Sequence, residues 1–267
     1  MKTVVFGDIH GSTLWKPILD YESPDKVIFL GDYFDPYDEN LMPGMVDNFI
    51  GNLKSQYHGI VRLKHDMGDN CVLLIGNHDY HYMGFNREHW SRYSVKTYKD
   101  VHNILGSLYE DGDLKFAHQI TLKNEDMSDR TILFTHAGVS TYWLTEIAGK
   151  SVEDLSADLL NEIDPKLYTF NNYSSAFDYY GNSKSQSPIW IRPDALANNT
   201  VENITQIIGH TRVKKPMSLR ELDYLDVHYP DIYLIDTMEI GGYLTIEDNE
   251  IKTKFYKEKI DDNKQTD

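Results

Sequence analysis

Short runs of apolar, largely β-branched residues recur along this 267-residue chain, and each gives way to a polar cluster. They are Thr3-Val4-Val5-Phe6, Lys26-Val27-Ile28-Phe29-Leu30, Val72-Leu73-Leu74-Ile75, Thr131-Ile132-Leu133-Phe134, Ile204-Thr205-Gln206-Ile207-Ile208 and Ile232-Tyr233-Leu234-Ile235. Near-continuous runs of this length predict strands covered on both faces. Between them, Met45 to Leu63 and Trp143 to Ile163 space their apolar positions as helices do. Strand alternating with helix predicts a layered α/β fold with mostly parallel pairing in its first half. Later the pattern changes. Tyr243-Leu244-Thr245-Ile246 and Ile251-Lys252-Thr253-Lys254-Phe255 alternate around Glu247-Asp248-Asn249-Glu250, which predicts an antiparallel hairpin. Leu167 to Ser187 is rich in Asn, Ser and Tyr and has no period, as expected of an insertion around 141–190 lying over the domain face. A single domain over 1–258 and a polar tail over 259–267 complete the division.

The polar clusters change the picture from architecture to chemistry. Five of them stand where a predicted strand ends: Gly7-Asp8-Ile9-His10-Gly11, Gly31-Asp32-Tyr33-Phe34-Asp35, Gly76-Asn77-His78-Asp79, Thr135-His136-Ala137-Gly138 and Gly209-His210-Thr211. Open α/β sheets bind ligands outside the carboxyl ends of their strands, so carboxylates and imidazoles gather there on one edge. Each cluster alone reads equally well as a turn or a helix cap. Five together at strand ends do not. Imidazole, carboxylate and amide oxygen donors without a thiolate suit Mn, Fe or Zn. Asp8 and His10, two residues apart, can both reach one ion. A carboxylate such as Asp32 can bridge to a second roughly 3.5–4 Å away, the spacing of two-metal hydrolases, and Asn77, His136 and His210 would complete it.

Composition narrows the function classes. With 26 basic against 42 acidic side chains the formal charge is −16, which disfavours a duplex nucleic-acid binder. No stretch reaches the roughly 18 apolar residues of a membrane helix. The N-terminus runs straight into a predicted strand without a signal-peptide core, so a cytoplasmic location is expected. The single cysteine, Cys71, reads as a buried small hydrophobe rather than a nucleophile. His58, His65, His89, His102, His118 and His228 have no motif around them and read as surface or satisfied core histidines. His81 lies near the site in sequence but reads as a helix-face or loop residue.

The five clusters, in this order, resemble the motifs of the calcineurin-like metallophosphoesterase superfamily: Asp-x-His, Gly-Asp-x-x-Asp, Gly-Asn-His-Asp, a Thr-His-Ala-Gly step and a late Gly-His. The resemblance spans most of the chain and implies a four-layer α/β/β/α sandwich with two divalent metal ions, Mn foremost, at the strand ends. Within the superfamily the chain is similar to the phosphoprotein phosphatase branch and to the symmetrical diadenosine tetraphosphatases. Tyr80-His81 after the third motif, Trp190-Ile191-Arg192-Pro193, and Ile235-Asp236-Thr237 before Gly241-Gly242 carry that finer likeness.

The same resemblance implies roles. Asp8, His10 and Asp32 would hold one ion, and Asp32, Asn77, His136 and His210 the other. His78 would protonate the leaving oxygen, oriented and kept protonated by Asp35. Arg192 would make a forked contact to phosphate. In two places the chain departs from the branch. Asp35-Pro36-Tyr37 stands where the phosphoprotein phosphatases have Asp-Arg-Gly, and Arg87, Arg92 or Arg212 is left to replace the missing arginine. Gly209-His210-Thr211-Arg212 lacks the second histidine of many phosphodiesterases, as the phosphoprotein phosphatases do. The expected activity is phosphomonoester hydrolysis by direct attack of a metal-activated hydroxide on a phosphoprotein. Diadenosine tetraphosphate or another nucleotide is the alternative substrate, and a metal-binding scaffold the non-enzymatic alternative.

Overall fold

The computed structural model describes residues 1–36, 47–85, 92–124, 126–166, 170, 178, 180–221 and 231–256. In chain order its strands are β1 (Thr3–Phe6), β2 (Lys26–Phe29), β3 (Cys71–Leu74), β4 (Leu114–Lys115), β5 (Ala117–Lys123), β6 (Asp129–Thr135), β7 (Ile204–Arg212), β8 (Met217–Ser218), β9 (Ile232–Asp236), β10 (Gly242–Glu247) and β11 (Glu250–Phe255). The helices are α1 (Trp15–Glu22), α2 (Asp47–Met67), α3 (Asn77–Tyr80), α4 (Tyr98–Glu110), α5 (Ala157–Glu162) and α6 (Pro193–Ala197).

Two sheets form, in the orders β11-β10-β1-β2-β3-β4 and β5-β6-β7-β9-β8. The pleat sends neighbouring residues to opposite faces, and both faces of the first sheet are apolar. Val4, Phe6, Val27, Phe29, Cys71 and Leu73 pack against Trp15 and Ile18 of α1, Tyr57 and Ile60 of α2, and Val101 and Leu105 of α4. Val5, Ile28, Leu30, Val72 and Leu74 face the second sheet and meet Ile132, Phe134, Ile207 and Ile235. Beyond that sheet, Ile208, Ile232 and Leu234 pack on Leu196 and Ala197 of α6. The layers are therefore helix, sheet, sheet, helix, as the family resemblance implied. Each fully buried Val, Leu, Ile or Phe here stabilises the fold by about 1.5–3 kcal/mol.

β1 to β4 are parallel, as are β6, β7 and β9. Their carboxyl ends deliver the polar clusters to one rim. The predicted hairpin is β10–β11, paired antiparallel from Gly242↔Phe255 to Glu247↔Glu250. Two expectations differ from the outcome. The helical spacing of Trp143 to Ile163 yields two short helical pieces, a π-helix over Trp143–Ile147 and α5, instead of one helix. β5, which pairs antiparallel along β6, was not predicted, because Ala117-His118-Gln119-Ile120-Thr121-Leu122-Lys123 is an edge strand without a continuous apolar run and with a half-exposed face. From the 141–190 segment, Trp143, Leu144, Leu160, Phe170 and Ile189 are buried in the same core as β1 and α1. The tail over 259–267, and Tyr168, Tyr173 and Tyr179, lie outside the described residues. Cys71 is buried and its thiol is pushed up to about 12 by that burial, as an inert core residue requires.

Candidate metal centre

Asp8 and His10 follow β1, Asp32 and Asp35 follow β2, Asn77 and His78 open α3 after β3, His136 follows β6, and His210 sits near the end of β7. The backbone bends sharply to aim them. His10, Asp32, Asp35 and His210 all adopt left-handed conformations, with φ of 42°, 52°, 58° and 62°. For residues with a Cβ this costs about 1–3 kcal/mol each and persists only where the surroundings impose it. At His210 the β7–β9 register shifts between Ile208 and Arg212, a bulge that turns the ring inward. Glycine makes the crowding possible. A methyl group at Gly76 would collide with the Asp32 carboxylate, and one at Gly209 with that of Asp8.

All six predicted ligands are buried and brought together. Asn77 Oδ1 lies 2.9 Å from both His136 Nε2 and His210 Nδ1. Asp32 Oδ2 is 3.5 Å from His136 Nε2 and 3.6 Å from His10 Nε2, and Asp8 Oδ2 is 3.8 Å from His10 Nε2. The other nitrogen of each imidazole faces a carbonyl oxygen, which only accepts. His10 Nδ1 donates to Phe34 O at 2.9 Å, His136 Nδ1 to Leu30 O at 2.9 Å, and His210 Nε2 to Trp190 O at 3.0 Å. These bonds fix the tautomers, so the inward nitrogens present lone pairs. Lone pairs of His136 and His210 then converge on the amide oxygen of Asn77, an arrangement that a shared cation makes favourable.

The charges agree. Burial, with Asp32 and Asp236 nearby, drives Asp8 well above its usual range. Burial and Asp79 do the same to Asp32. Burial holds His10 and His210 well below theirs and takes His136 down to about 3. Asp8 Oδ2 and Asp236 Oδ2 are buried without a hydrogen-bond partner. Orphaned anionic oxygens and neutral imidazoles facing one another fit divalent cations. Asp8, His10 and Asp32 would hold one ion, and Asp32, Asn77, His136 and His210 the other.

His78 lies beside this centre. Its backbone N–H donates to Asp32 Oδ1 at 2.8 Å and its Nδ1 to Asp35 Oδ2 at 2.9 Å. Burial outweighs the hydrogen bond and charge of Asp35, and with Arg92 and His81 adding to it the imidazole falls to about 4. Of the three arginines left open, Arg92 reaches the site: Nη2 donates to His78 Nε2 at 3.0 Å and Nη1 to Asp35 O at 2.9 Å. Arg212 pairs with Glu239 at the surface, and Arg87 lies outside the described residues. Arg192 donates Nη1 to His210 O at 2.8 Å and to Thr211 Oγ1 at 3.0 Å, which pins the bulge that carries His210.

Three residues escaped sequence reasoning. Asp79 accepts from the backbone N–H groups of Asp32 at 2.6 Å, Tyr33 at 3.0 Å and Gly76 at 2.9 Å, tying the β2 and β3 loops together. The spacing Gly76-x-x-Asp79 is a helix-capping pattern and was a usable signal. Asp236 faces Asp8 from β9, and its acid is raised to about 6 by burial. His81, read as a loop residue, is buried on Asp35.

The calcineurin-like phosphoesterase profile matches residues 1–230. The chain belongs to that family. It is a metal-dependent phosphoesterase, and the family uses dinuclear centres of divalent metal ions. Among solved structures this calcineurin-like phosphoesterase is similar to a protein serine/threonine phosphatase from Saccharomyces cerevisiae with similarity to human phosphatase PP5. The two share 15% identity over 98% of this chain and 82% of the other, with a TM-score of 0.52. It is also similar to a metallophosphoesterase from Sphaerobacter thermophilus, at 15% identity over 96% and 88% of the two chains and a TM-score of 0.48. At such identity the likeness concerns the fold alone. No curated protein matches the phosphoesterase in sequence. Among its described residues no helix is long and apolar enough to cross a membrane.

Metal loading of this phosphoesterase is expected to raise its melting temperature, and more at pH 8 than at pH 5.5. Asp8 and Asp32 have raised pKa values, so protons compete with cations as the pH falls. At a free Mn²⁺ concentration 100-fold above Kd, each site adds about 2.7 kcal/mol, roughly 5–10 °C. Scanning calorimetry at the two pH values checks this. A larger shift at pH 5.5 would contradict it.

Proposed function

We propose that the enzyme hydrolyses phosphomonoesters by in-line attack of water, that its substrates are phosphoproteins, and that His78 is the general acid. The observation that carries this reading is the placement of His78. It stands on the Asp35 carboxylate, next to six convergent ligand side chains, with Nε2 turned toward the cationic Arg92. Two divalent cations, when bound, activate water at neutral pH and withdraw charge from phosphoryl oxygens. The chain's own groups do the rest.

A phosphate dianion in the site offers Arg92 a better acceptor than an imidazole nitrogen, because both partners are then charged. Arg92 thereby leaves His78 Nε2. The nearby negative charge also favours the imidazolium. His78 can then carry protons on both nitrogens, Nδ1–H held on Asp35 and Nε2–H facing the ester oxygen. As the P–O bond breaks, its electron pair goes to the leaving oxygen, which takes the Nε2 proton. Water adds to phosphorus, and the products are an alcohol and inorganic phosphate. Arg92 supplies what the Asp35-Pro36-Tyr37 sequence lacks. Arg192, held beside His210, is the second phosphate ligand through its charge and forked geometry.

Arg92→Ala is expected to lower kcat/KM about 10–100-fold, the worth of one charge-assisted contact, and to weaken product inhibition by phosphate in step. Unchanged inhibition by phosphate would remove Arg92 from the substrate site. Turnover of a Ser/Thr phosphopeptide against diadenosine tetraphosphate, on one Mn²⁺-loaded preparation, tests the substrate class. Faster release of phosphate from the peptide supports the phosphoprotein reading. Consumption of the dinucleotide alone replaces it with the nucleotide reading.

A further inference from the structure

Asp35 receives more hydrogen bonds than the orientation of one imidazole requires. Its Oδ2 accepts from His78 Nδ1 and from His81 Nε2, each at 2.9 Å, and its Oδ1 accepts from the Tyr82 hydroxyl at 2.7 Å. All four residues are buried. His81 follows His78 by three positions across the end of α3, so the two rings lie on one face of the turn and descend on a single carboxylate. The His81 ring is held edge-on by Tyr82 and Tyr93, with centroids 4.5 and 5.1 Å away. Tyr82 stacks on Tyr93 at 5.0 Å and its hydroxyl accepts the Ser94 N–H at 3.0 Å. The carboxylate is thus tied to the segment that begins with Arg92.

The need for such a bracket follows from the torsions. The terminal torsion of an aspartate is broad, and Asp35 sits on a left-handed backbone at φ 58°. With only His78 as donor, the carboxylate could rotate to share both oxygens with Arg92 or with the centre's cations. Donors on both oxygens remove that freedom. An apolar side chain would fill the His81 position as well, at no polar burial cost. The hydrogen bond is what the histidine adds.

We propose that His81 and Tyr82 are positioning residues for the general acid: they lock the Asp35 carboxylate so that Oδ2 holds His78 Nδ1 and Nε2 points at the leaving oxygen. This rests on the reading of His78 given above.

The test uses aryl phosphates of graded leaving-group acidity on the Mn²⁺-loaded enzyme. Phenyl phosphate needs its leaving oxygen protonated, whereas 2,4-dinitrophenyl phosphate does not. His81→Phe is expected to lower kcat on phenyl phosphate about 10–100-fold, the usual effect of losing an outer-shell partner, with KM and the rate on the dinitrophenyl ester little changed. His81→Gln, whose amide N–H reaches the place of Nε2, restores most of the loss. Tyr82→Phe removes one oxygen from a ring that stays stacked on Tyr93 and gives the same split, smaller. Equal losses on both esters in His81→Phe and Tyr82→Phe, or no loss on either, would overturn the bracket. His78→Asn serves as the reference. If it shows the split and the bracket variants do not, the bracket alone fails; if it shows none, the general-acid reading fails as well.

Discussion

His78→Asn is expected to lower kcat on a phosphomonoester with a poor leaving group by about 10²–10⁴-fold, the usual contribution of a positioned general acid. Asparagine keeps a donor near Nδ1, so Asp35 retains a partner and the fold is little disturbed. What is lost is the group at Nε2, the atom that faces the site and that Arg92 contacts at 3.0 Å. KM should change little, because the interaction is made only as the P–O bond breaks. The backbone N–H of residue 78, which donates to Asp32 Oδ1, is untouched by the substitution, so metal content should equal that of the parent. Steady-state kinetics on phenyl phosphate, with metal content measured on the same samples, checks both halves. A variant that keeps full kcat would show that the leaving oxygen takes its proton elsewhere.

Asp32→Asn should abolish turnover and leave the metal-free fold at least as stable as the parent. The two effects have opposite signs for one reason. Asp32 is buried beside Asp79, with Asp236 near, and its carboxylate is raised well above the usual range. Without cations this charge opposes folding at neutral pH, where the unfolded chain holds Asp32 ionised at no cost. The sign follows from the raised pKa: the penalty is absent below the unfolded value and grows as pH rises through the folded one. A neutral amide removes it, and asparagine tolerates the left-handed backbone at φ 52° better than other residues. The same change removes the one carboxylate shared by the two proposed ion positions, so activity should drop to the chelated background. Melting curves in chelator and assays in Mn²⁺ separate the effects. A metal-free Asp32→Asn protein several degrees less stable than the parent would show that the carboxylate is a structural partner and not a strained ligand.

The strand framework was legible because buried parallel strands leave uninterrupted apolar runs. Val4 to Phe6, Val27 to Phe29 and Val72 to Leu74 are buried on both faces and could be nothing else of that length. The six candidate ligand positions were legible for a related reason: they fall in five short motifs, each at the end of one such run. What the sequence hid depends on side chains that meet across the chain. Arg92 lies 14 residues after His78, and nothing in the local sequence says that the two side chains meet. His81 looked like a loop residue, since nothing local says that the end of α3 turns it toward Asp35. The burial of the His78 ring, which opposes the pull of the neighbouring carboxylate, was also out of reach. β5 was missed because an edge strand with polar alternation looks like loop, and the helical spacing of Trp143 to Ile163 is realised as two short helices, Trp143–Ile147 and Ala157–Glu162, which spacing alone does not divide.

The central claim is that two cations share Asp32 at the rim where the sheets end. Anomalous diffraction from crystals grown with Mn²⁺ tests it most directly. The account predicts two anomalous peaks flanking Asp32, one reached by Asp8 and His10, the other by Asn77, His136 and His210. A Mn²⁺-saturated crystal with no peak among these residues, or with its peak among Asp35, His78 and His81 instead, would contradict it.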